Sequence, residues 1–316
     1  MPTGAVVKST AAGLFRSIFK STSRHSFLCR SISSDIEDEL TKFKETTQHT
    51  RDHMKRTEHS ERHREICPAR VISVKNLSPT VKGVLLHLND SDRQATSFLA
   101  GQWVDMFIPG VETVGGFSIC NSPRSLEVEG VIELAVKFSN HPPAHWIHTQ
   151  CEVGSGVDIR VGGNFHYQST ANKDLLLIAG GVGINPLLSI FRHRRDLYLD
   201  NPESLSLAKT TLIYSAKTYK ELLFQDKIEK ISQEIPCSRH YYITKEGNDG
   251  TWPHSIPRRT YTNAKISGES LLRTVGSHTK ATDSYICGPP AFIDRIEKNL
   301  LDVGFLKGNI FYEKWW

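Results

Sequence analysis

Hydrophobic and polar positions alternate over short stretches between about residue 70 and residue 164, a spacing typical of strands joined by turns. A series of short strands without long helices favours a small antiparallel barrel. One helix is predicted in this half, over residues 144–151. The strands are predicted over residues 71–74, 81–88, 103–107, 117–119, 131–136 and 157–161.

After about Tyr167 the pattern changes to apolar runs separated by amphipathic stretches, which predict a parallel sheet with helices on both faces. The chain is therefore predicted to contain two domains, an antiparallel β-barrel over residues 66–167 and an α/β parallel-sheet domain over residues 168–316. In the second domain the predicted strands are 174–178, 211–215, 240–244, 284–286 and 310–312, and the predicted helices are 186–198, 221–234, 267–274 and 290–303.

The apolar run that begins at Leu175 ends in a cluster of glycines, followed by Pro186, which suits the first turn of a helix. A glycine turn between a strand and a helix lets backbone N–H groups approach a phosphate, and the helix dipole favours the anion. The spacing differs from the G-x-G-x-x-G of the common dinucleotide fold. We predict a pyrophosphate site formed by Gly180, Gly181, Val182, Gly183, Ile184 and Asn185.

The glycine turn is followed in order by two further motifs, Cys-Gly-Pro-Pro at residues 287–290 and Glu-Lys-Trp at residues 313–315. Together with Gly-Gly-Phe-Ser-Ile-Cys-Asn-Ser-Pro at residues 115–123, they resemble the ferredoxin–NADP reductase superfamily. The likeness covers about residues 66 to 316. It implies a flavin-binding barrel and a nicotinamide-binding α/β domain, and hence an enzyme that passes hydride from NADH to flavin N5.

The resemblance implies roles for three neighbouring residues of the barrel. Phe117 would line the flavin ring or the ribityl chain, Ser118 would hydrogen-bond near flavin N5, and Ile119 would complete the cofactor-binding motif. A hydroxyl suits N5 because this atom accepts a hydride and becomes an N–H, so a group that donates and accepts serves both redox states. Alternatively, Phe117 and Ser118 are ordinary strand residues, one pointing inward and one outward.

In the second domain the resemblance places Cys287, Gly288 and Pro289 near C4 of the nicotinamide, with the thiol positioning the ring without covalent chemistry. Glu313 would orient the nicotinamide site or assist protons, and Trp315 would cover the flavin ring. A buried packing thiol and a hydrophobic docking role for the terminal tryptophans are the alternatives. The candidate catalytic residues are Ser118, Cys287 and Glu313.

The chain departs from the superfamily where the flavin phosphate would bind. Gly115 stands where relatives place an arginine, and Pro142 and Pro143 replace a turn whose backbone N–H groups contact the phosphates. Two interpretations remain open. Flavin, as FAD or FMN, binds through other cations, or the chain has lost stable flavin binding and is a non-catalytic NAD(H)-binding sensor or assembly module. The cations considered are His141, His145, Arg160 and Arg124.

The second domain also bears on the choice of cofactor and acceptor. Lys217 and Lys245 follow predicted strands and suit a 2′-phosphate, but Glu246 is adjacent, so NADH is favoured over NADPH. The six cysteines form no C-x-x-C pair, which argues against an iron–sulfur cluster and leaves the electron acceptor as a separate, unidentified molecule. No metal site and no oligomeric state are predicted.

Residues 1–34 contain no Asp or Glu and are rich in Arg and Ser, the composition of a mitochondrial transit peptide that leads to the matrix. A disordered basic tail is the alternative. Five basic residues in this stretch equal the formal net charge of +5, so the charge predicts no nucleic-acid partner. No apolar run approaches the roughly 20 residues of a membrane span. Residues 35–65 carry mixed charges and are predicted to form a solvated linker.

Overall fold

The computed structural model describes residues 53–168, 173–205, 208–245, 261–262, 264–276 and 279–314 of the chain. The predicted transit peptide, Glu246 and Trp315 lie outside these residues. Within the described residues, none of the helices has the length and apolar character needed to cross a bilayer.

The first domain is a six-stranded antiparallel sheet with the strand order β4-β3-β6-β1-β2-β5. The two outer strands of this order meet at one end, because Ile119 forms an antiparallel bridge with Leu134 and the sheet thereby closes into a barrel. The predicted antiparallel barrel is confirmed. Its strands are β1 (Cys67–Ser78), β2 (Val81–His87), β3 (Trp103–Ile108), β4 (Val111–Ser118), β5 (Val131–Lys137) and β6 (Gly156–Gly162).

Four short helices accompany the barrel, and three of them were missed by the hydrophobic pattern, which predicted one helix over residues 144–151. The helix at Pro123–Glu129 has few apolar residues, but a proline begins it and Gly130 ends it with a left-handed φ of 69°. Proline at the start and glycine at the end of a helix are the signals that could have identified it. The helices are α1 (His53–Arg56), α2 (Asp90–Arg93), α3 (Pro123–Glu129) and α4 (Pro142–Thr149).

The second domain is a six-stranded parallel sheet with the order β10-β9-β8-β7-β11-β12, as predicted apart from the two-residue strand β10. Its strands are β7 (Asp174–Gly180), β8 (Thr210–Ala216), β9 (Cys237–Ile243), β10 (Tyr261–Thr262), β11 (Thr282–Cys287) and β12 (Ile310–Glu313). Its helices are α5 (Ile184–Asp200), α6 (Gln225–Glu234), α7 (Gly268–Val275) and α8 (Pro290–Asp302).

The order of the second sheet positions its ligand site. From β7 the chain moves outward through β8 and β9, and it then returns to place β11 on the other side of β7. In such sheets ligands bind beyond the carboxyl ends of the strands at the point where the direction reverses. That point lies between β7 and β11, which are followed by the two predicted nucleotide motifs.

One polar face of α5 binds the second domain to the barrel. Asn185, Ser189, Arg192 and Asp196 recur at helical spacing and therefore share this face. The Asn185 amide donates to the carbonyl of Ala135 at 2.7 Å. Three similar hydrogen bonds follow along this face. The Ser189 hydroxyl donates to the carbonyl of Asn121, and Arg192 donates to the Glu133 carboxylate, both at 2.7 Å. The Ser122 hydroxyl of the barrel donates to the Asp196 carboxylate at 2.5 Å.

Residues 53–63, here named the N-terminal arm, lie against the barrel and do not form the solvated linker predicted for this part of the chain. The reason is Asp105, a fully buried carboxylate on the outer face of β3. His53 Nε2 lies 2.8 Å from Asp105 Oδ1, and Arg62 and Arg160 donate to Oδ2 at 2.9 and 2.6 Å. Gly116 allows this contact, since a Cβ atom there would collide with the His53 ring.

We expect Asp105→Asn to lower the free energy of unfolding at pH 7 by about 3–5 kcal/mol, because it leaves two largely buried guanidinium groups without their counter-charge. Burial raises the pKa of Asp105, but hydrogen bonds from its three basic partners outweigh burial and hold the pKa below its ordinary value of 3.8. The contribution is therefore complete above about pH 3.8 and is lost as pH falls through the depressed pKa.

Urea unfolding at several pH values tests this expectation, with the exposed Asp158→Asn on β6 as the matched control. The difference between wild type and Asp105→Asn should be largest near neutral pH and shrink in acid. Equal effects of the two substitutions at pH 7 would contradict the assignment.

Candidate functional site

The two nucleotide motifs meet through their backbones at the carboxyl ends of β7 and β11. Ala179 pairs with Cys287 in the sheet, so the turns that follow are neighbours. A Cβ atom on Gly183 would collide with the carbonyl group of Cys287 and lie 2.6 Å from the nitrogen of Gly288. A Cβ atom on Gly288 would lie 3.2 Å from the Cα of Gly180. Glycine is needed at these positions because no side chain fits between the turns.

The first glycine turn leads directly into the 17-residue helix α5. Gly181 adopts a left-handed φ of 56° within the turn. The helix begins at Ile184, two residues before the predicted start, because a proline is tolerated in the first turn. The backbone N–H groups and the positive end of the helix dipole lie at the crevice, which is the geometry required of an anion site.

The side chains of the predicted pyrophosphate segment contribute less than its backbone. Ile184 is fully buried in the core. The Asn185 amide donates one hydrogen to the barrel carbonyl of Ala135, because this buried carbonyl needs a donor and α5 passes over it. A phosphate in this turn would meet backbone N–H groups.

Cys287 is a fully buried free thiol at the end of β11. Burial, reinforced by the nearby charge of Glu313, raises the pKa of this thiol well above its ordinary value of 9.0. The group is therefore a neutral thiol at physiological pH, and a thiolate nucleophile is disfavoured. This geometry suits the positioning role expected for Cys287.

A hydrogen bond between the domains brings the three candidate catalytic residues to one region. Glu313 pairs with Cys287 across β12 and β11, and its Oε1 accepts a hydrogen bond of 3.0 Å from Trp103 Nε1. Trp103 in turn pairs with Ser118 across β3 and β4. Sequence reasoning missed Trp103 as a site residue. The signal was its indole N–H, a donor that requires a partner when the ring is buried.

Phe117 and Ser118 lie on opposite faces of β4, as strand alternation requires. Phe117 pairs with Val104, whose side chain belongs to the barrel core, whereas Ser118 lies on the outer face with Trp103. Ile119 is fully buried, and its N–H donates to the carbonyl of Gln102. Of the three residues in this motif, Ser118 has a polar side chain on the face where Trp103 meets Glu313.

The surroundings of Gly115 do not fit a flavin phosphate. A Cβ atom on Gly115 would lie 2.5 Å from Cε2 of Phe117 and 2.8 Å from Cβ of Pro143, so an aromatic ring and a proline fill this space. Two of the cations considered as substitutes have other partners, since Arg160 binds Asp105 and Arg124 pairs with Asp200. Ser118 offers a hydroxyl on the outer face of β4 for the edge of a flavin ring, but the residues beside Gly115 do not fit the flavin phosphate.

The ends of β8 and β9 form the region predicted to meet the adenosine ribose. Lys217 and Lys245 follow these two strands, and the N–H of Lys245 donates to the carbonyl of Lys217 at 2.9 Å. Both side chains are exposed, and their backbones are neighbours beyond the carboxyl ends of β8 and β9. This arrangement is compatible with an adenosine ribose or its 2′-phosphate.

Comparisons with known proteins agree with this geometry. The family model of the oxidoreductase NAD-binding domain matches residues 177–298. Oxidoreductase NAD-binding domain-containing protein 1 of Danio rerio is 46% identical over 280 residues, which cover 86% of this chain and 100% of that protein.

Solved structures extend the likeness to both domains. A cytochrome P450 reductase from Amycolatopsis matches with a TM-score of 0.64 and 21% identity, over 79% of this chain and 70% of the other. A ferredoxin NADP+ reductase from Neisseria gonorrhoeae, solved with bound FAD and NADP, matches with a TM-score of 0.59 and 19% identity, over 79% of this chain and 99% of the other. At these identities the structures show a common two-domain fold.

We expect Gly183→Ala to weaken NADH binding at least about tenfold, because the added methyl group forces the two turns apart. Gly308→Ala is the matched control, since a Cβ atom there meets nothing within 4 Å. Titration of NADH into each folded variant gives the two dissociation constants. An unchanged affinity in Gly183→Ala would contradict the placement of the nucleotide at these turns.

Proposed function

The chain belongs to the family of oxidoreductase NAD-binding domain-containing protein 1, and from this premise we propose that it is an NAD(P)H-dependent flavin oxidoreductase. It would favour NADH as the hydride donor and use FAD or FMN. Electrons would leave for a separate acceptor, since no C-x-x-C pair is present to hold an iron–sulfur cluster.

One observation carries the proposal. The hydrogen bond from Trp103 to Glu313 joins the strand beside the Cys287 turn to the strand beside Ser118. This contact brings the strand that carries Ser118 close to the strand beside the Cys287 turn, which supports a common site for nicotinamide and flavin. Two redox ligands that exchange a hydride must lie in contact with their reacting atoms about 3–3.5 Å apart, so the reaction requires such a common site.

A flavin bound there would supply an N5 atom that accepts hydride and can release electrons singly or in pairs. The protein supplies orientation. The glycine turns and α5 would bind the pyrophosphate, and the buried Cys287 thiol would close the space beside the nicotinamide. Ser118 would hydrogen-bond at the ring edge. Glu313, held by Trp103, would fix the carboxamide side of the nicotinamide or hold a proton.

Reduction of flavin by NADH, measured in the wild-type protein and in the Ser118→Ala variant, tests the proposal. NADH mixed anaerobically with the full-length protein and added flavin should bleach the visible flavin band. Loss of the Ser118 hydroxyl should slow this reduction about three- to tenfold, the equivalent of one neutral hydrogen bond of about 0.5–1.5 kcal/mol. NADH affinity should stay nearly constant, because Ser118 lies on the barrel.

Stopped-flow spectroscopy measures the rate, and the exposed Ser139→Ala provides the matched control. A flavin band that NADH leaves unchanged would contradict the oxidoreductase function. Equal rates in Ser118→Ala and wild type would contradict the role of the hydroxyl.

A second function is favoured by the contact of Phe117 and Pro143 around Gly115. A chain that lacks a phosphate site for flavin but keeps the glycine turns could act as a non-catalytic NAD(H)-binding sensor or assembly module. In the same experiment such a protein would bind NADH while taking up no flavin. That outcome would select this function over the first.

The proposed location is the mitochondrial matrix. Its support is the acid-free, Arg- and Ser-rich composition of residues 1–34. Fusion of these residues to a fluorescent protein should direct it to mitochondria in cells. Replacing the five basic residues of the segment by glutamine provides the control and should leave the fusion dispersed. A dispersed fusion with the native segment would contradict this location.

A further inference from the structure

We propose that this chain recognises flavin by its ring alone, so that riboflavin, FMN and FAD bind with similar affinity and exchange with the solution. The inference rests on the proposed function, since it concerns the same cleft. It differs from a resident cofactor, which is retained largely through contacts to its phosphates. The structure supports the inference through three features beside β4 and through one on its outer face.

The first feature is an apolar contact in the place of a cation. Gly115 is buried, and the Phe117 ring lies across it toward α4. A Cβ atom at Gly115 would approach Phe117 to 2.5 Å and Pro143 to 2.8 Å, so even one methylene is excluded while Phe117 keeps this position. A guanidinium fork cannot occupy this place, and the bidentate contact that it would make to a phosphate is absent.

The second feature is the start of α4. The first N–H groups of a helix are unpaired within the helix and are its usual anion donors. In α4 the first two positions are Pro142 and Pro143, which have no N–H. The N–H of His145 is already bonded to the carbonyl of His141 at 2.9 Å. Ala144 therefore carries the one remaining N–H of this first turn.

The third feature is the use of the nearby arginines. Arg160 lies on the outer face of β6 and binds Asp105 together with the N-terminal arm. Arg124, on α3, pairs with Asp200 at the end of α5. Both cations therefore have carboxylate partners in the structure. The basic side chains in the first turn of α4 are imidazoles, which cannot make the same two-pronged contact.

Polar groups lie on the outer face of β4, where the flavin ring would bind. Ser118 lies on the outer face of β4, beside the point where Trp103 binds Glu313. These groups can recognise the ring edge, which riboflavin, FMN and FAD share. The three flavins differ only in the phosphate and nucleotide portion, for which the described residues beside Gly115 provide an aromatic ring and two prolines. Discrimination among the three should therefore be small.

Equilibrium titration of the full-length protein with riboflavin, FMN and FAD, followed by flavin fluorescence, tests the inference. We expect dissociation constants within about threefold of one another, with little dependence on salt, since no ion pair to the phosphate contributes. We also expect ultrafiltration to remove each flavin. A phosphate site made of charge-assisted bonds would instead favour FMN and FAD by about 100-fold or more.

The outcomes separate this inference from the proposed function. Binding of FMN or FAD more than tenfold tighter than riboflavin would overturn the inference and leave the oxidoreductase function standing. Binding of NADH with no binding of any flavin would overturn both. Similar affinities for all three flavins, together with their removal by filtration, would support the inference.

A variant that gains a preference for the phosphorylated flavins gives an independent test. Gly115→Arg alone collides with Phe117 and Pro143, so it is combined with Phe117→Ala and Pro143→Ala, and circular dichroism confirms the fold. This triple variant should bind FMN and FAD at least tenfold tighter than riboflavin. Glu112→Gln in the background of Phe117→Ala and Pro143→Ala is the matched control, because it changes the net charge by the same single unit at an exposed position of β4. A folded triple variant that binds all three flavins equally would overturn the inference.

Discussion

The relative placement of the two domains depends on the polar face of α5. Asn185, Ser189, Arg192 and Asp196 each contact the barrel on or beside β5. These groups are largely buried, so each hydrogen bond lost would leave an unsatisfied polar atom in the interior. The same helix begins at the glycine turn. The contacts that fix the orientation of the domains therefore also fix where a nucleotide at that turn lies relative to the barrel.

Close backbone approach is the second constraint on the cleft. The turns after β7 and β11 touch without side chains between them, and the end of β12 reaches the barrel through the hydrogen bond from Trp103 to Glu313. Trp103 is itself covered by the N-terminal arm, since Arg62 lies 4.9 Å above its ring and His53 packs against it edge-on. The arm, the barrel and the last strand thus form one continuous packed unit around the candidate catalytic residues.

The chain shares the two-domain fold of the reductases whose solved structures it matches. Beside Gly115, the ring of Phe117 and the side chain of Pro143 fill the space that a longer side chain would need. The two positions on β4 depend on each other, because the ring of Phe117 occupies volume that only a glycine at position 115 leaves open. A shared fold therefore does not by itself establish every cofactor contact.

Local patterns in the sequence determined most of the secondary structure, the antiparallel barrel, the parallel sheet and the position of the glycine turns. These features depend on alternation, apolar runs and turn residues that lie close together in the chain. Tertiary structure alone decided the roles of Asp105, Trp103 and Asn185. Their partners lie 52, 210 and 50 residues away in sequence, and no periodicity links positions so distant. A buried donor or charge signals that a partner must exist, but only the folded chain shows which group it is.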